Sequence, residues 1–395
     1  MTSQLRHLHQ YGRRCYSGQF SHDGKFYFSS CQDFNVRLYD TTDPLEWKQI
    51  KTLQYPYGQW TITDTSLSPD DQLIAYSSIR GIVCLGHTDP AIAVTPLDLQ
   101  LGTPQRQFAV WAVKFTSDGR ELVMGTSDNS VLAYDIESQR TTAQFIAHAD
   151  DVNAICVDPL APNMVYTGSD DTYIKVWDRR TMANGTPVGG FFGHLEGLTH
   201  LESQGDGLHL LSNGKDQCSK LWDIRAMLQP DQFDQLDKQD STGFDYRFQQ
   251  YRPQSARQYP DDNPVAVFKG HSILKTLIRC HFSPLGRAGK RLVYSGSEDG
   301  AVYIWTLDGD LLGKVDVNSD TEANWQSDQR DAAAVDHKRW RSCVRDASWH
   351  PQTDIIAGEF YRLLSPCHST NHHGSFVLDG TRDDWWSMLS AYYLF

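Results

Sequence analysis

The chain has 395 residues, of which 39% are hydrophobic and 22% charged, and its formal net charge is -13. So acidic a balance argues against a protein that binds nucleic-acid phosphates, and no stretch approaches the roughly 20 apolar residues needed to cross a bilayer. The N-terminal "MTSQLRHLHQ" lacks the apolar run of a signal peptide. The sequence therefore predicts a soluble intracellular protein with no direct nucleic-acid partner and no membrane partner.

A short repeat runs along the chain. Seven strand-like segments that end in Ser, Pro, Asp or Gly turns begin at Cys15, Ile62, Val110, Val152, Leu198, Leu277 and Val344. In five places an Asp stands six residues before an aromatic residue: Asp33 and Tyr39, Asp128 and Tyr134, Asp171 and Trp177, Asp216 and Trp222, Asp299 and Trp305. Short strands at this period predict four-stranded blades that bury their faces against neighbours in a ring. We therefore predict an all-β, seven-bladed β-propeller over residues 1–361 whose last blade is incomplete or atypical.

Two polar insertions interrupt the predicted blades, at 226–264 within blade five and at 318–340 between blades six and seven. The first contains the aromatic cluster "FDYRFQQYRP" from Phe244, for which docking on the protein's own rim is favoured over contact with a partner. Residues 362–395 form a divergent tail that is either part of the last blade or disordered. In the tail, "GSFVLDG" from Gly374 is a candidate third strand, and "LRHLHQYG" from Leu5 is a candidate outer strand of the same blade.

The cysteines give no sign of a disulfide framework or a zinc site. All eight lie far apart without C-x-x-C spacing, and several fall in apolar runs. This pattern favours buried free thiols, so we predict no metal and no cofactor. The segment "CHSTNHH" from Cys367 has side chains that can bind metal, but its spacing is loose and no partner motif accompanies it.

His, Ser and Asp recur at fixed places in the repeat. Three sets share the pattern: His148, Ser169 and Asp171; His194 and Asp216, with Gly214 in the serine position; and His271, Ser297 and Asp299. One such set alone would invite a catalytic-triad interpretation. The recurrence favours structural hydrogen-bond networks, each closed by the tryptophan of its blade, Trp177, Trp222 or Trp305. We predict no catalytic residue and no enzymatic activity.

The second residue of each predicted first strand occupies an equivalent place near one end of the repeat. These residues are Tyr16, Thr63, Trp111, Asn153, Thr199, Ile278 and Arg345. Exposed aromatic and arginine side chains suit peptide recognition, which makes Tyr16, Trp111, Asn153 and Arg345 candidate substrate-binding residues. Packing of Trp111 and Tyr16 between blades is an equal alternative.

The third strands of the fourth and fifth repeats end in the same phrase. "IKVWDRRT" from Ile174 and "SKLWDIRA" from Ser219 each place an Arg two residues after Trp-Asp. With the Gly-His dipeptides at Gly193 and Gly270, the Trp-Asp dipeptides resemble the signature of WD-repeat propellers. An Asp two residues before an Arg can orient the guanidinium and leave its other donors for a partner. Asp178, Arg180, Asp223 and Arg225 are therefore candidate partner-binding residues.

Two such motifs in consecutive blades resemble the double docking signature of cullin-4 ubiquitin ligase receptors. The segments "ADDVNAI" from Ala149, "GHSILKTLIRCHFSP" from Gly270 and "SCVRDASWHP" from Ser342 extend a resemblance to the DDB1- and CUL4-associated factor 11 (WD-repeat protein 23) family over residues 11–358. The resemblance implies a substrate receptor whose adaptor-binding residues are the two Asp and Arg pairs.

On this resemblance the partners are a DDB1-type triple-propeller adaptor, a cullin-4 ligase and a protein substrate, with cap'n'collar-type stress transcription factors among the targets. It further implies proteasomal degradation of the target and a nuclear and cytoplasmic location. The alternative is a non-enzymatic WD-repeat scaffold of another nuclear or cytoplasmic complex, in which both arginines are ordinary rim charges.

Overall fold

The computed structural model describes residues 3–43, 46–101, 107–233, 243–252, 263–285, 291–318, 341–362 and 373–380. Regular structure in these ranges is mostly β-strand, because short Val-, Ile- and aromatic-rich runs alternate with Asp, Asn and Gly turns. Short helices occupy Met182–Asn184, Ile224–Ala226 and Pro230–Phe233 (α1). In the described ranges, no helix is both long enough and apolar enough to span a membrane.

The strands of the first half are β1 Ser3–Tyr11, β2 Cys15–Phe20, β3 Phe26–Cys31, β4 Asn35–Asp40, β5 Lys48–Gln54, β6 Ile62–Leu67, β7 Leu73–Ser78, β8 Ile82–His87, β9 Leu97–Gln100, β10 Val110–Phe115, β11 Glu121–Thr126, β12 Ser130–Asp135, β13 Arg140–Ile146 and β14 Val152–Val157. Those of the second half are β15 Met164–Ser169, β16 Ile174–Asp178, β17 Gly189–Phe191, β18 Leu198–Ser203, β19 His209–Gly214, β20 Cys218–Asp223, β21 Ala266–Lys269, β22 Cys280–Phe282, β23 Leu292–Ser295, β24 Ala301–Thr306, β25 Leu311–Asp316, β26 Ser342–Trp349, β27 Ile355–Arg362 and β28 His373–Gly380.

Six blades each consist of four strands that follow one another along the chain. They are blade 1 (β2–β5), blade 2 (β6–β9), blade 3 (β10–β13), blade 4 (β14–β17), blade 5 (β18–β21) and blade 6 (β22–β25). Consecutive strands pair antiparallel, as short turns allow. In blade 5 the 226–264 insertion separates β20 from β21, yet β21 still pairs with β20, from Cys218↔Lys269 to Leu221↔Ala266.

A composite sheet joins strands from both ends of the chain, in the order β1-β28-β27-β26. The pairing of β1 with β28 runs from Ser3↔Gly380 to Tyr11↔His373. The prediction of seven blades with an incomplete last one is therefore wrong. The chain forms six blades from consecutive strands, and the residues expected to leave a gap complete a four-stranded sheet. The candidate strands from Gly374 and Leu5 are β28 and β1, and β1 supplies the ladder partner that the free edge of β28 would otherwise lack.

The described residues group into two compact units. One comprises Leu53–Lys269 and Ile273–Cys280, with blades 2 to 5, and the other comprises the remaining described residues, with the composite sheet and most of blades 1 and 6. Each unit has its own apolar clusters; Val123, Val165 and Trp177 belong to one in the first unit, and Val302, Val344 and Trp349 to one in the second.

Glycine in or directly after the second strand of a blade lets neighbouring sheets approach closely within each unit. A Cβ on Gly125 of β11 would lie 2.5 Å from the carbonyl oxygen of Val152 in β14. A Cβ on Gly296, which follows β23, would likewise collide with the carbonyl oxygen of Val344 in β26. Backbone atoms cannot yield as a flexible side chain can, so both positions need glycine.

Several expectations fall partly or wholly on residues outside the described ranges. The insertion at 318–340 lies outside them from residue 319 on, and of the 362–395 tail the structure describes β28. The seven cysteines in the described ranges are buried and free. Cys367 lies outside, so its expected state remains a prediction.

Candidate docking site at one end of the strands

Blades 4 and 5 end their third strands in Trp-Asp at the same end of the strands. Trp177 and Asp178 close β16, and Trp222 and Asp223 close β20. Because side chains alternate along a strand, each Trp points into the protein, where it is 1% exposed, and each Asp points to the other face. The side chains of Asp178 and Asp223 are 15% and 20% exposed.

Each of these aspartates forms a bidentate contact with the arginine two residues later. Arg180 donates from Nε to Asp178 Oδ1 at 2.9 Å and from Nη2 to Oδ2 at 2.6 Å. Arg225 donates to Asp223 in the same way, at 3.0 and 2.6 Å. The two arginine side chains nevertheless remain 70% and 69% exposed. The carboxylates therefore fix the guanidinium planes and leave further N–H donors facing solvent.

These contacts keep the carboxylates charged. Hydrogen bonds from Arg180 and Arg225 lower the pKa of Asp178 and of Asp223 to about 2 each. The same bonds raise the pKa of both guanidinium groups. Each pair therefore stays fully ionised at neutral pH.

Blade 1 shows that the turn needs the aspartate but not the arginine. Asp40 closes β4 as Asp178 closes β16, and its Oδ1 accepts the backbone amide of Thr42 at 2.9 Å. Asp178 accepts the Arg180 amide in the same way at 3.0 Å. The aspartate is thus a turn-forming residue in both blades. The guanidinium contact is an addition that blades 4 and 5 have and that the described turn after Asp40 lacks.

The neighbouring Arg179 has a different environment. It donates from Nη2 to Glu121 Oε2 at 2.7 Å and to Asp118 Oδ2 at 3.2 Å, both in the blade 3 part of the chain. Its side chain is 14% exposed. Arg179 therefore ties blade 4 to blade 3 and is not a surface donor as Arg180 is.

The tryptophan of each Trp-Asp dipeptide belongs to a buried hydrogen-bonded relay. Trp177 Nε1 donates to Thr167 Oγ1 at 2.9 Å, and Thr167 Oγ1 lies 2.7 Å from His148 Nε2. His148 Nδ1 lies 2.9 Å from Asp171 Oδ2. Burial lowers the pKa of His148 in spite of the Asp171 charge, so the imidazole is neutral and the relay runs from Trp to Asp.

Blade 5 repeats the relay with serine in place of threonine. Trp222 Nε1 donates to Ser212 Oγ at 2.8 Å, and Ser212 Oγ lies 2.6 Å from His194 Nε2. His194 Nδ1 lies 3.1 Å from Asp216. Both imidazoles are buried, so these groups have the geometry of an internal network and not of a solvent-facing triad.

The expected place of Ser169 in the relay is wrong. Ser169 is the last residue of β15, and its hydroxyl donates to the Asp150 carbonyl at 3.1 Å and accepts the Asp171 amide at 3.1 Å. Thr167, two residues earlier in β15, makes the contact with the imidazole of His148 instead. Ser169 therefore stabilises the turn, and the sequence pattern missed Thr167 and Ser212 because the turn serine stands closer to the aspartate along the chain.

In blade 6 the residues equivalent to this relay make different contacts. The Asp299 carboxylate accepts a hydrogen bond from the Tyr303 hydroxyl at 2.8 Å, and Ser297 Oγ accepts the Ser272 amide at 2.9 Å. His271 packs edge-on against Trp305, with ring centroids 5.1 Å apart.

The candidate substrate-binding positions share a backbone irregularity. The ladder shifts register at the second residue of the first strand in blades 1 to 5, at Tyr16, Thr63, Trp111, Asn153 and Thr199, and at Arg345, the fourth residue of β26, in the composite sheet. A β-bulge re-aims the side chain of the extra residue. The equivalence inferred from the sequence is therefore a shared local backbone geometry near the start of each of these strands.

Most of these side chains are buried: Tyr16 takes the packed alternative, and the exposure expected for Arg345 is wrong. Tyr16 is 7% and Arg345 6% exposed, and the guanidinium lies 5.0 Å from the centroid of the Tyr16 ring. Arg345 also donates to the carbonyl of Tyr16. The two residues thus serve as each other's partners.

Trp111 keeps a half-exposed side chain. Its Nε1 donates to Asp151 Oδ2 at 3.0 Å, and its ring lies edge-to-face with that of Trp60 at 6.3 Å. Trp60 is 48% exposed, and burial raises the pKa of Asp151 to about 6, with added repulsion from nearby carboxylates. Asn153 is 9% exposed and donates to Asp170 at 2.7 Å. The sequence did not indicate Trp60 or Asp151, because their contacts join different loops.

The blade 5 insertion contains a third pair of the same geometry. Arg247 donates from Nε and Nη2 to Asp245 at 2.9 and 2.8 Å, and its side chain is 61% exposed. The intervening Tyr246 packs under the Lys215 ammonium at 4.4 Å, and Lys215 follows β19. This pair therefore lies at the strand end opposite Arg225. The expected docking of the aromatic cluster on the protein's own rim holds for Tyr246, whereas Phe248 is 78% exposed.

Three groups in blade 5 have metal-binding atoms within 4.8 Å of one another, those of His194, Asp216 and Cys218. Burial raises the pKa of the Cys218 thiol well above its usual value, so it is a neutral thiol that donates to Asp216 Oδ1 at 3.2 Å. The cluster is therefore accounted for by internal hydrogen bonds.

Known proteins share both the repeats and most of the length of this chain. The WD40 repeat (WD domain, G-beta repeat) matches residues 3–40, 139–178 and 262–306. The LEC14B protein of Lithospermum erythrorhizon is 39% identical over 361 residues, which cover 88% of this chain and 71% of that protein. A LEC14B homolog of Prunus armeniaca is 37% identical, with 85% and 68% covered. A DDB1- and CUL4-associated factor 11 homolog of Caenorhabditis elegans is 32% identical, with 90% and 61% covered.

Proposed function

The chain belongs to the WD-repeat family that includes the LEC14B proteins and the DDB1- and CUL4-associated factor 11 homologues, and on this premise we propose that it is a substrate receptor of a cullin-4 RING ubiquitin ligase. WD-repeat domains of this kind act as scaffolds. In the proposal, one end of the strands docks on a DDB1-type triple-propeller adaptor. The receptor contributes proximity, and the ligase's other subunits transfer ubiquitin.

The observation that carries the proposal is the pair of oriented arginines. Arg180 and Arg225 lie at the same strand end of neighbouring blades, each held by an ionised aspartate and each about 70% exposed. A partner that covers them meets guanidinium groups whose geometry is already set, which reduces the entropy lost on binding. Arginine is also enriched among residues that dominate interfaces.

The substrate is proposed to bind at the opposite strand end, where Trp111 and Trp60 are partly exposed. The family resemblance supports a cap'n'collar-type stress transcription factor as a target, degraded by the proteasome after ubiquitination, in the nucleus and cytoplasm. Separate strand ends for adaptor and substrate would allow both to bind at once.

Biolayer interferometry with purified DDB1 tests the docking. The double variant Arg180→Ala with Arg225→Ala is expected to bind at least about 30-fold more weakly, since both oriented guanidinium groups are lost. Arg247→Ala is the matched control, because it removes an arginine of the same Asp-x-Arg geometry and similar exposure at the other strand end. The control should bind as the wild type does. Equal binding by the double variant and the wild type would refute adaptor docking through this surface.

A further inference from the structure

Two exposed leucines share the strand end of the two Asp and Arg pairs. Leu160 is 71% exposed in the connection between β14 and β15, and Leu208 is 37% exposed in the connection between β18 and β19. Single exposed leucines are common on protein surfaces. These two lie in turns that hydrogen bonds hold to each other and to the arginine-bearing loops.

One buried carboxylate joins the two turns. Asp158 is fully buried, and its Oδ1 accepts the amides of Leu160 at 2.7 Å and Ala161 at 3.1 Å. Its Oδ2 accepts the amide of Gly207 at 3.0 Å and the hydroxyl of Ser203. Four donors from two neighbouring blades therefore converge on one side chain, which fixes the turns relative to each other.

Backbone packing brings the two turns side by side. Gly207 has φ 72°, a conformation that favours glycine. A Cβ at this position would lie 3.6 Å from the Cβ of Leu160. The backbone at residue 207 therefore packs against Leu160, and Leu208 is the next residue along the chain.

The leucine turns are also bonded to the arginine loops. Leu208 accepts, through its carbonyl oxygen, the amide of Ile224 at 2.8 Å, and Ile224 stands between Asp223 and Arg225. In blade 4 the carbonyl oxygen of Asn163 accepts the amide of Arg179 at 2.7 Å, one residue before Arg180. The apolar and the charged side chains therefore sit on one hydrogen-bonded framework within a single compact unit.

We propose that Leu160 and Leu208 are the apolar centre of the adaptor-docking surface and that Arg180 and Arg225 flank it. The inference rests on the proposed adaptor docking. Its occupant is the same adaptor, because the leucine turns are continuous with the arginine loops. The complementary surface has an apolar depression bordered by acidic or carbonyl oxygens. Rigid apolar side chains that become fully covered, surrounded by charge-assisted contacts, are the usual anatomy of a binding hot spot.

The test uses the full chain and purified DDB1 in the interferometry assay. Leu160→Ala with Leu208→Ala is expected to raise the Kd at least about 10-fold, and Leu160→Arg alone should weaken binding similarly by placing a charge in the apolar contact. Ile146→Ala is the matched control, since Ile146 is 62% exposed on β13. Circular dichroism and thermal melts confirm that each variant is folded, as expected for surface changes.

The outcomes separate this inference from the function on which it rests. Loss of binding in the leucine variants with normal binding of Ile146→Ala supports the apolar centre. Normal binding of the leucine variants, with weak binding of the arginine double variant, overturns the apolar centre and leaves adaptor docking intact. Normal binding of both sets of variants overturns docking itself and the apolar centre with it.

Discussion

Aspartate and arginine pair in two contrasting settings within blades 2 to 5 and the segment that leads into blade 6. Asp178 with Arg180 and Asp223 with Arg225 are two residues apart, and their arginines are about 70% exposed. Asp64 and Arg279 are 215 residues apart, meet at 2.6 Å, and have side chains 3% and 10% exposed. The short-range pairs present donors to a partner, whereas the long-range pair is enclosed by the protein.

The two settings also differ in electrostatics. Burial by itself would raise the pKa of Asp64, but the charges of Arg279 and Lys114 and the amide of Val113 outweigh it, so the pKa is lowered. The pKa of Asp178 is lowered mainly by direct hydrogen bonds from its arginine, with little burial to oppose them. A buried pair is tied to folding because neither charge can return to water, and an exposed pair is free to serve recognition.

The largest effect is expected from breaking the buried pair. Arg279→Met leaves the Asp64 carboxylate buried without its cation, and we expect the free energy of unfolding to fall by about 3–5 kcal/mol in urea titrations. Adding Asp64→Asn should restore much of the loss, because the amide oxygen can still accept from Val113. An Arg279→Met protein as resistant to urea as the wild type would remove the distinction between the two settings.

A smaller, pH-dependent effect is expected from the buried pair of His148 and Asp171. Because burial lowers the pKa of His148, the unfolded chain binds more protons than the folded one below its ordinary pKa of about 6.5. Stability should therefore fall as the pH drops from 7 to 5, by at most about 1.4 kcal/mol per pH unit for this group. Over this range the exposed pairs are unaffected, since both of their aspartates have a pKa of about 2.

Urea titrations at pH 5, 6 and 7 measure this slope. The control is His148→Gln, which keeps a neutral polar side chain in the relay and removes the titrating group. Its stability should vary less with pH than that of the wild type. Identical slopes would mean that His148 is protonated equally in the folded and unfolded states.

The smallest effect is expected from removing the exposed arginines. Arg180→Ala with Arg225→Ala should leave the Tm within the error of a calorimetric scan, since exposed ion pairs contribute little to stability. Asp178 and Asp223 still accept the backbone amides of their turns in this variant. A marked drop in Tm would mean that the arginines are structural, and the docking comparison with Arg247→Ala would then need a stability-matched control.

Motifs of short range along the chain can be recognised in the amino-acid sequence alone. The six-residue interval from Asp to aromatic predicted the strand pairs of five blades, and the Trp-Asp ends predicted where β16 and β20 stop. Placing Arg180 and Arg225 beside their aspartates follows from the same local rule, because two residues of a tight turn cannot separate far. The candidate docking pair was therefore accessible to sequence reasoning.

Features that join distant segments were missed or misplaced. Thr167 takes the relay position that the spacing assigned to Ser169, because strand register decides which hydroxyl meets His148. Leu160 resembles any exposed turn residue in the sequence, and only the contacts of Asp158 show that its turn is held against that of Gly207. The alignment of first strands placed Tyr16 and Arg345 at equivalent positions, and only the tertiary structure shows that they cover each other.

The sequence by itself determined the blade repeat, its turn chemistry and the two arginines that the turns do not require, because all of these depend on residues a few positions apart. The tertiary structure alone decided that β1 and β28 complete a sheet from opposite ends of the chain. It also decided that Asp64 pairs with Arg279 and that the turns of Leu160 and Leu208 lie next to the arginine loops. Such contacts depend on how separate blades are aligned. That alignment follows from side-chain packing and strand register, which no local pattern of residues records.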